Sequence, residues 1–166
     1  RPGELPALRE RELRCACDAL GIGPPRLLDY HDGHLAEADP ESMATQILRV
    51  LDELHIQVLL TFGPDGLSGH PDHVAIGRYA REAYGRASTT AALYAVAVPR
   101  SLAERANMPG IRAVPDEAIT LSVDVMPVWE TKLAAIRCHA TQMSASPMMH
   151  APAERQRFFL GLNTLF

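Results

Sequence analysis

At 166 residues, with a formal net charge of −4 and 47% hydrophobic residues, the chain has the balance of an ordinary globular protein. That length closes a real hydrophobic core and reads as one domain over residues 1–166. No apolar run is long enough to span a bilayer, and the scattered Lys and Arg form no stripe for a phosphate backbone, so neither membrane nor nucleic acid is expected as a partner.

In chain order, Pro6 to Leu20 reads as a helix with Leu13, Ala16, Cys17 and Leu20 as its apolar stripe and Gly21 as its stop. Leu27 to Tyr30 is a short strand candidate, followed by a loop over "HDGHLAEAD". Asp39-Pro40 is a helix start, with Asp as N-cap and Pro at the first helical position, and Met43, Ile47, Leu48, Leu51 and Leu54 recur at helical spacing. Ile56 to Phe62 is a nearly continuous apolar run, the pattern of a central strand covered on both faces. A helix is expected from Pro71 to Gly85, and a second buried strand from Ala91 to Val98. Ile119 to Val125 alternates like a strand nearer an edge, Pro127 to Gln142 reads as a helix, and Ser144 to Pro152 reads as a loop. The apolar tail "RQRFFLGLNTLF" is suited either to covering the protein's own core or to self-association as a homo-oligomer.

Helices alternating with strands are the signature of an α/β protein with a mostly parallel, Rossmann-like sheet carrying helices on both faces. Neither a Gly-x-Gly-x-x-Gly nor a P-loop occurs, so dinucleotide and NTP binding are unsupported. The three cysteines, Cys15, Cys17 and Cys138, lack framework spacing and read as reduced structural thiols in a cytoplasmic protein. On a helix Cys15 and Cys17 project about 200° apart, so they would not share a metal.

The chemistry concentrates in "TFGPDGLSGHPDHV", which ends an apolar strand and opens a helix. Ligands of open α/β sheets gather beyond the carboxyl ends of the strands, where His70 and His73 fall. With Pro71 at the first helical position, His73 lies in the first turn. There the positive end of the helix dipole keeps an imidazole neutral, as a metal ligand must be. Asp72 is placed to orient a ring by hydrogen bonding, and Gly63, Gly66 and Gly69 allow tight bends. The segment supplies one or two of the three protein ligands that a catalytic zinc needs. An ordinary strand-to-helix turn remains the competing reading. A second His-x-x-His, His31 to His34, reads first as a solvated turn with Asp32-Gly33 at its tip, while Asp32 is a candidate for holding substrate hydroxyls.

Four segments, taken together, resemble the PIG-L/LmbE-like family of zinc-dependent N-acetylglucosaminyl deacetylases: "RERELRCACDALGI", "LLDYHDGHL", "GHPDHVAIGRYAREA" and "KLAAIRCHATQ". The resemblance runs from Arg9 to about Gln142 and is most specific in the histidine loop and the last helix. It implies Zn2+ as cofactor, with His73 as a ligand, His70 polarising the amide carbonyl or protonating the leaving amine, and Asp72 tuning His70. It also implies that Asp32 and Arg9 face an amino-sugar substrate. His139 and Gln142 would pack and hydrogen-bond near the site. The family's Ala-His-Pro-Asp-Asp segment, with two more ligands and the general base, does not occur here, which reads as an N-terminally truncated domain.

The expected function is therefore zinc-dependent removal of an N-acetyl group from an N-acetylglucosamine-type sugar or its conjugate. The alternatives are a noncatalytic remnant of the same fold that binds sugar or a partner, and a metal-binding protein using His31, His34, His70 and His73.

Overall fold

A computed structural model of the chain describes residues 4–143 and 150–166. Most of the loop expected over Ser144 to Pro152, its first six residues, lies outside the described residues. The elements are α1 (Leu5–Leu20), α2 (Pro40–Glu53), β1 (Val58–Phe62), the one-turn α3 (Gly66–Gly69), α4 (Pro71–Arg86) and β2 (Ala92–Ala97). They continue with α5 (Arg100–Arg105), β3 (Leu121–Asp124), α6 (Trp129–Cys138), α7 (Ala140–Met143), α8 (Ala153–Leu160) and β4 (Leu162–Leu165). The strands form a mixed sheet in the order β1-β2-β4-β3. β1 and β2 are parallel, with Val58 opposite Ala92 and Phe62 opposite Val96, whereas β4 runs antiparallel to β2. The chain divides into two compact units, residues 29–122 with 163–166, and residues 1–28 with 123–162.

In the first of these units, α2 starts where Asp39 accepts a hydrogen bond from the Ser42 N–H at 2.8 Å, with Pro40 needing no partner. α4 starts in the same way, with His70 as N-cap and Pro71 behind it. Met43 of α2 and Ala75 and Tyr79 of α4 form a buried cluster, against which Leu35, Ala38 and Ile47 pack. A forked ion pair from Arg86 to both carboxylate oxygens of Glu41, at 2.7 and 2.6 Å, ties the end of α4 to the start of α2. Gly77 brings α4 flush against β1, since a Cβ there would sit 2.5 Å from the Phe62 carbonyl oxygen. Helix and strand end are thus held in one fixed relation, and that relation positions the histidines.

Several expectations are corrected here. Leu27 to Tyr30 forms no strand: Asp29 takes φ +54°, which breaks an extended run, and the segment finds no ladder. β1 is not central among the described strands but ends the order, and Val58 and Leu60 are 59% and 58% exposed. An apolar run reports hydrophobicity, not which neighbours cover it. The apolar tail, in contrast, completes the sheet. Phe166 exchanges backbone hydrogen bonds with Ala95, and its ring lies where a Cβ on Gly63 would be, at 2.6 Å.

In the other unit, α1 and α6 pack together and bury Ala16, Cys17 and Leu133. The helix expected from Pro127 to Gln142 breaks at His139 (φ −82°, ψ 51°), so that α6 and α7 are separate. The carbonyl of His139 accepts from the N–H groups of Gln142 and Met143. The break turns the Thr141 N–H and hydroxyl onto the buried carboxylate of Glu12, at 2.7 and 2.6 Å. The reading of three reduced thiols is overturned: Cys15 and Cys138 form a disulfide, with Cα atoms 5.7 Å apart, and only Cys17 is free and buried. The two helices bring together residues 123 apart in sequence, which no spacing rule reveals. The inference of a reducing compartment from cysteine usage therefore no longer follows. Among the described residues, no helix is long and apolar enough to cross a membrane.

Candidate metal centre and substrate loop

β1 delivers the chain at Phe62 to a tight turn, and the turn delivers it to the start of α4. Gly66 and Gly69 both take positive φ, +65° and +78°, as does Leu67 at φ +64°. A leucine in that region is strained by roughly 1–3 kcal/mol and persists only where its surroundings hold it. Part of the hold is visible: the Leu67 carbonyl accepts from the Arg112 N–H at 2.7 Å, and the Arg112 guanidinium lies where a Cβ on Gly69 would be. Arg112 carries no motif and was not singled out from the sequence.

The turn presents the two histidines with their rings 4.9 Å apart. His73 is half-buried, stacked on Phe62 with ring centroids 4.0 Å apart and planes within 7°. Its Nδ1 lies 3.1 Å from the Gly66 carbonyl oxygen. A carbonyl only accepts, so Nδ1 carries a proton, and in the neutral ring Nε2 keeps its lone pair. His70 is exposed, and its Nδ1 accepts from the backbone N–H of Asp72 at 3.2 Å. An amide N–H only donates, so the neutral His70 ring carries its proton on Nε2. One ring therefore offers a lone pair and its neighbour a proton, and each tautomer is set by the backbone. The helix cap sets one of them and the Gly66 carbonyl the other.

Asp72 thus meets His70 through its backbone. Its carboxylate accepts from the N–H of Gly33 at 2.6 Å and from the N–H of Leu35 at 3.0 Å. The structure accordingly brings His70, Asp72, His73 and the exposed Asp32 turn onto one compact unit. Arg9 belongs to the other unit, on α1, one turn before Glu12. The hydroxyl and N–H of Thr141 hold the Glu12 carboxyl below the ordinary range, with His139 and Arg9 adding smaller charge contributions. His34 pairs with Glu37 at 3.2 Å on the surface. Among the described residues, no group of three or more His, Cys, Asp or Glu is gathered to hold a metal.

The family model described as PIG-L, GlcNAc-PI de-N-acetylase, matches residues 1–84, a span that includes both histidines. The chain belongs to the PIG-L family.

Curated relatives agree with it. A 1D-myo-inositol 2-acetamido-2-deoxy-alpha-D-glucopyranoside deacetylase of Nocardiopsis dassonvillei is 33% identical over 87% of the chain and 66% of its own length. The protein of the same name from Thermobifida fusca is 29% identical over 88% of the chain and 65% of itself. A probable N-acetyl-alpha-D-glucosaminyl L-malate deacetylase 2 of Bacillus cereus is 31% identical over 85% of the chain and 60% of itself. The chain therefore spans less than two thirds of the length of these relatives. The crystal structure of the conserved protein TT1542 from Thermus thermophilus superposes with a TM-score of 0.65 at 20% identity, covering 96% of the chain and 71% of that structure. This likeness shows the fold, an α/β architecture of the Rossmann-like kind expected from the sequence.

Proposed function

We propose that the chain carries the histidine corner of a zinc-dependent N-deacetylase that acts on an N-acetylglucosaminyl conjugate. The observation that supports it most is the pair of backbone contacts made by the two rings, His73 Nδ1 on the Gly66 carbonyl and His70 Nδ1 on the Asp72 N–H. His73 Nδ1–H is bonded to a backbone carbonyl, the arrangement that orients a metal-bound imidazole and raises its basicity. Its Nε2 lone pair would be one ligand of a site that needs others. When bound, zinc lowers the pKa of its water to about 7 and polarises a carbonyl oxygen.

Two further groups of the chain act in this reading. His70 presents its Nε2–H to the acetamide, where it donates a hydrogen bond to the oxygen that gains charge as the carbonyl is attacked. Asp32 meets the sugar hydroxyls at the tip of its turn. Hydrolysis adds water across the amide C–N bond and yields acetate and the free amine. The deacetylases named above differ in what the amino sugar carries, inositol in two and malate in the third, and share N-acetylglucosamine itself. That shared sugar is the part of the substrate we assign to this chain.

The test compares the full-length protein purified with zinc against its His73→Ala and His70→Ala variants, measuring retained zinc and acetate released from an N-acetylglucosaminyl conjugate. His73→Ala is expected to lose the zinc, and His70→Ala to keep it and lose turnover. Zinc retained by His73→Ala would overturn the ligand assignment. Sugar binding with no metal dependence would favour the noncatalytic remnant instead.

A further inference from the structure

The carboxylate of Asp72 is not spent on His70. It reaches 39 and 37 residues back along the chain to the N–H groups of Gly33 and Leu35. These two donors lie on either side of the exposed His34, just past Asp32, and Gly33 holds φ +86°, a conformation open to glycine. The bend is closed by the His34 N–H donating to the His31 carbonyl at 3.1 Å. Two turns further along α4, the buried Tyr79 hydroxyl lies 3.3 Å from the Leu35 carbonyl oxygen and 3.2 Å from that of Ala38. Between them Ala75 belongs to the buried cluster against which Leu35 and Ala38 pack. Positions 72, 75 and 79 share one face of the helix. The adjoining face, at 73 and 77, lies against the end of β1 through the Phe62 ring and carbonyl.

α4 is thus a two-sided ruler. One side fixes His73 to the strand end, and the other fastens the segment from Gly33 to Ala38. We propose that Asp72 is a positioning residue for the Asp32 turn: its carboxylate clamps Gly33 and Leu35 to the start of α4 and thereby sets sugar affinity, rather than tuning the chemistry at His70. The clamp itself follows from the hydrogen bonds, and its consequence for substrate rests on the deacetylase reading. Tyr79 and the apolar contacts hold the downstream part of the segment without Asp72. Losing the carboxylate therefore loosens the turn at its tip and leaves the core in place.

The experiment uses the full-length protein with zinc, with Asp72→Asn, which keeps one acceptor, and Asp72→Ala, which keeps none. Backbone amide hydrogen exchange at Gly33 and Leu35 should rise about tenfold or more in Asp72→Ala and less in Asp72→Asn, with Tyr79 and Ala80 unchanged. In turnover, KM for the sugar conjugate should rise about tenfold with kcat within about threefold and an unshifted pH profile. Unchanged exchange at Gly33 and Leu35 would overturn the clamp. Exchange that rises while KM stays constant and the pH profile of kcat moves would overturn the positioning role in favour of tuning His70. If zinc-dependent acetate release is absent from the wild-type full-length protein, the deacetylase reading fails, and amide exchange still decides the clamp.

Discussion

Two glycines of α4 should respond to the same substitution with opposite signs. At Gly77 an added Cβ would lie 2.5 Å from the Phe62 carbonyl oxygen, 3.1 Å from that of Gly63 and 3.2 Å from the Phe62 carbonyl carbon. These are backbone atoms of the strand end and its turn, so no side chain can swing aside, and helix and strand must separate. Overpacking of this kind costs about 1–3 kcal/mol, and the upper half applies where the obstacle is backbone. Alanine recovers about 1 kcal/mol of helix propensity, leaving Gly77→Ala destabilised by about 1–2 kcal/mol. At Gly85, two turns on, a Cβ would meet nothing within 4 Å. The propensity gain stands alone there, and Gly85→Ala should be stabilised by about 0.5–1 kcal/mol. Urea unfolding followed by far-ultraviolet circular dichroism reads both, with an unchanged denaturant slope as the check that the unfolded state is common to both. Because His73 sits one turn before Gly77, Gly77→Ala should also weaken zinc retention while Gly85→Ala leaves it intact. Equal stability changes of the same sign in the two variants would refute the close approach of α4 to β1.

The remaining predictions concern the other unit. Thr141 holds the Glu12 carboxyl below its ordinary value, so Glu12 contributes stability above its unfolded-state pKa, and that contribution is lost as pH falls through the lowered folded-state value. Glu12→Gln should therefore flatten the acid limb of the stability profile, as read by urea midpoints from neutral pH down through the carboxylate range; a variant with an unaltered acid limb contradicts it. The Cys15–Cys138 disulfide closes a separation of 123 residues, so its reduction should lower stability by about 2–4 kcal/mol. Thermal unfolding with and without dithiothreitol should show that loss in the wild-type chain, and Cys15→Ser should be insensitive to the reductant.

What the sequence made legible is what local rules govern. Asp39-Pro40 and His70-Pro71 announce helix starts because a side-chain acceptor followed by a residue without an N–H is a complete local solution to capping. β1, β2 and the long helix after the histidine loop were legible from hydrophobic period and length. The disulfide and the Asp72 bonds to Gly33 and Leu35 were not, because they join distant residues whose types carry no joint signature. β4 was hidden for a different reason. Its residues are apolar enough to pack, but whether they pair with a strand or cover a face depends on the edge that β2 offers them. The histidine tautomers were half legible: the sequence places His73 in a first helical turn, and only the fold supplies the Gly66 carbonyl that fixes which nitrogen keeps its lone pair.

His73 carries the proposed zinc contact, and its ring nitrogens report it directly. Long-range proton–nitrogen correlation spectra of the nitrogen-15-labelled chain, recorded across a zinc titration, resolve Nδ1 from Nε2. The His73 ring should be protonated at Nδ1 before zinc is added, and the largest shift as zinc binds should be that of its Nε2. A ring protonated at Nε2, or one whose nitrogens ignore zinc, would contradict that contact.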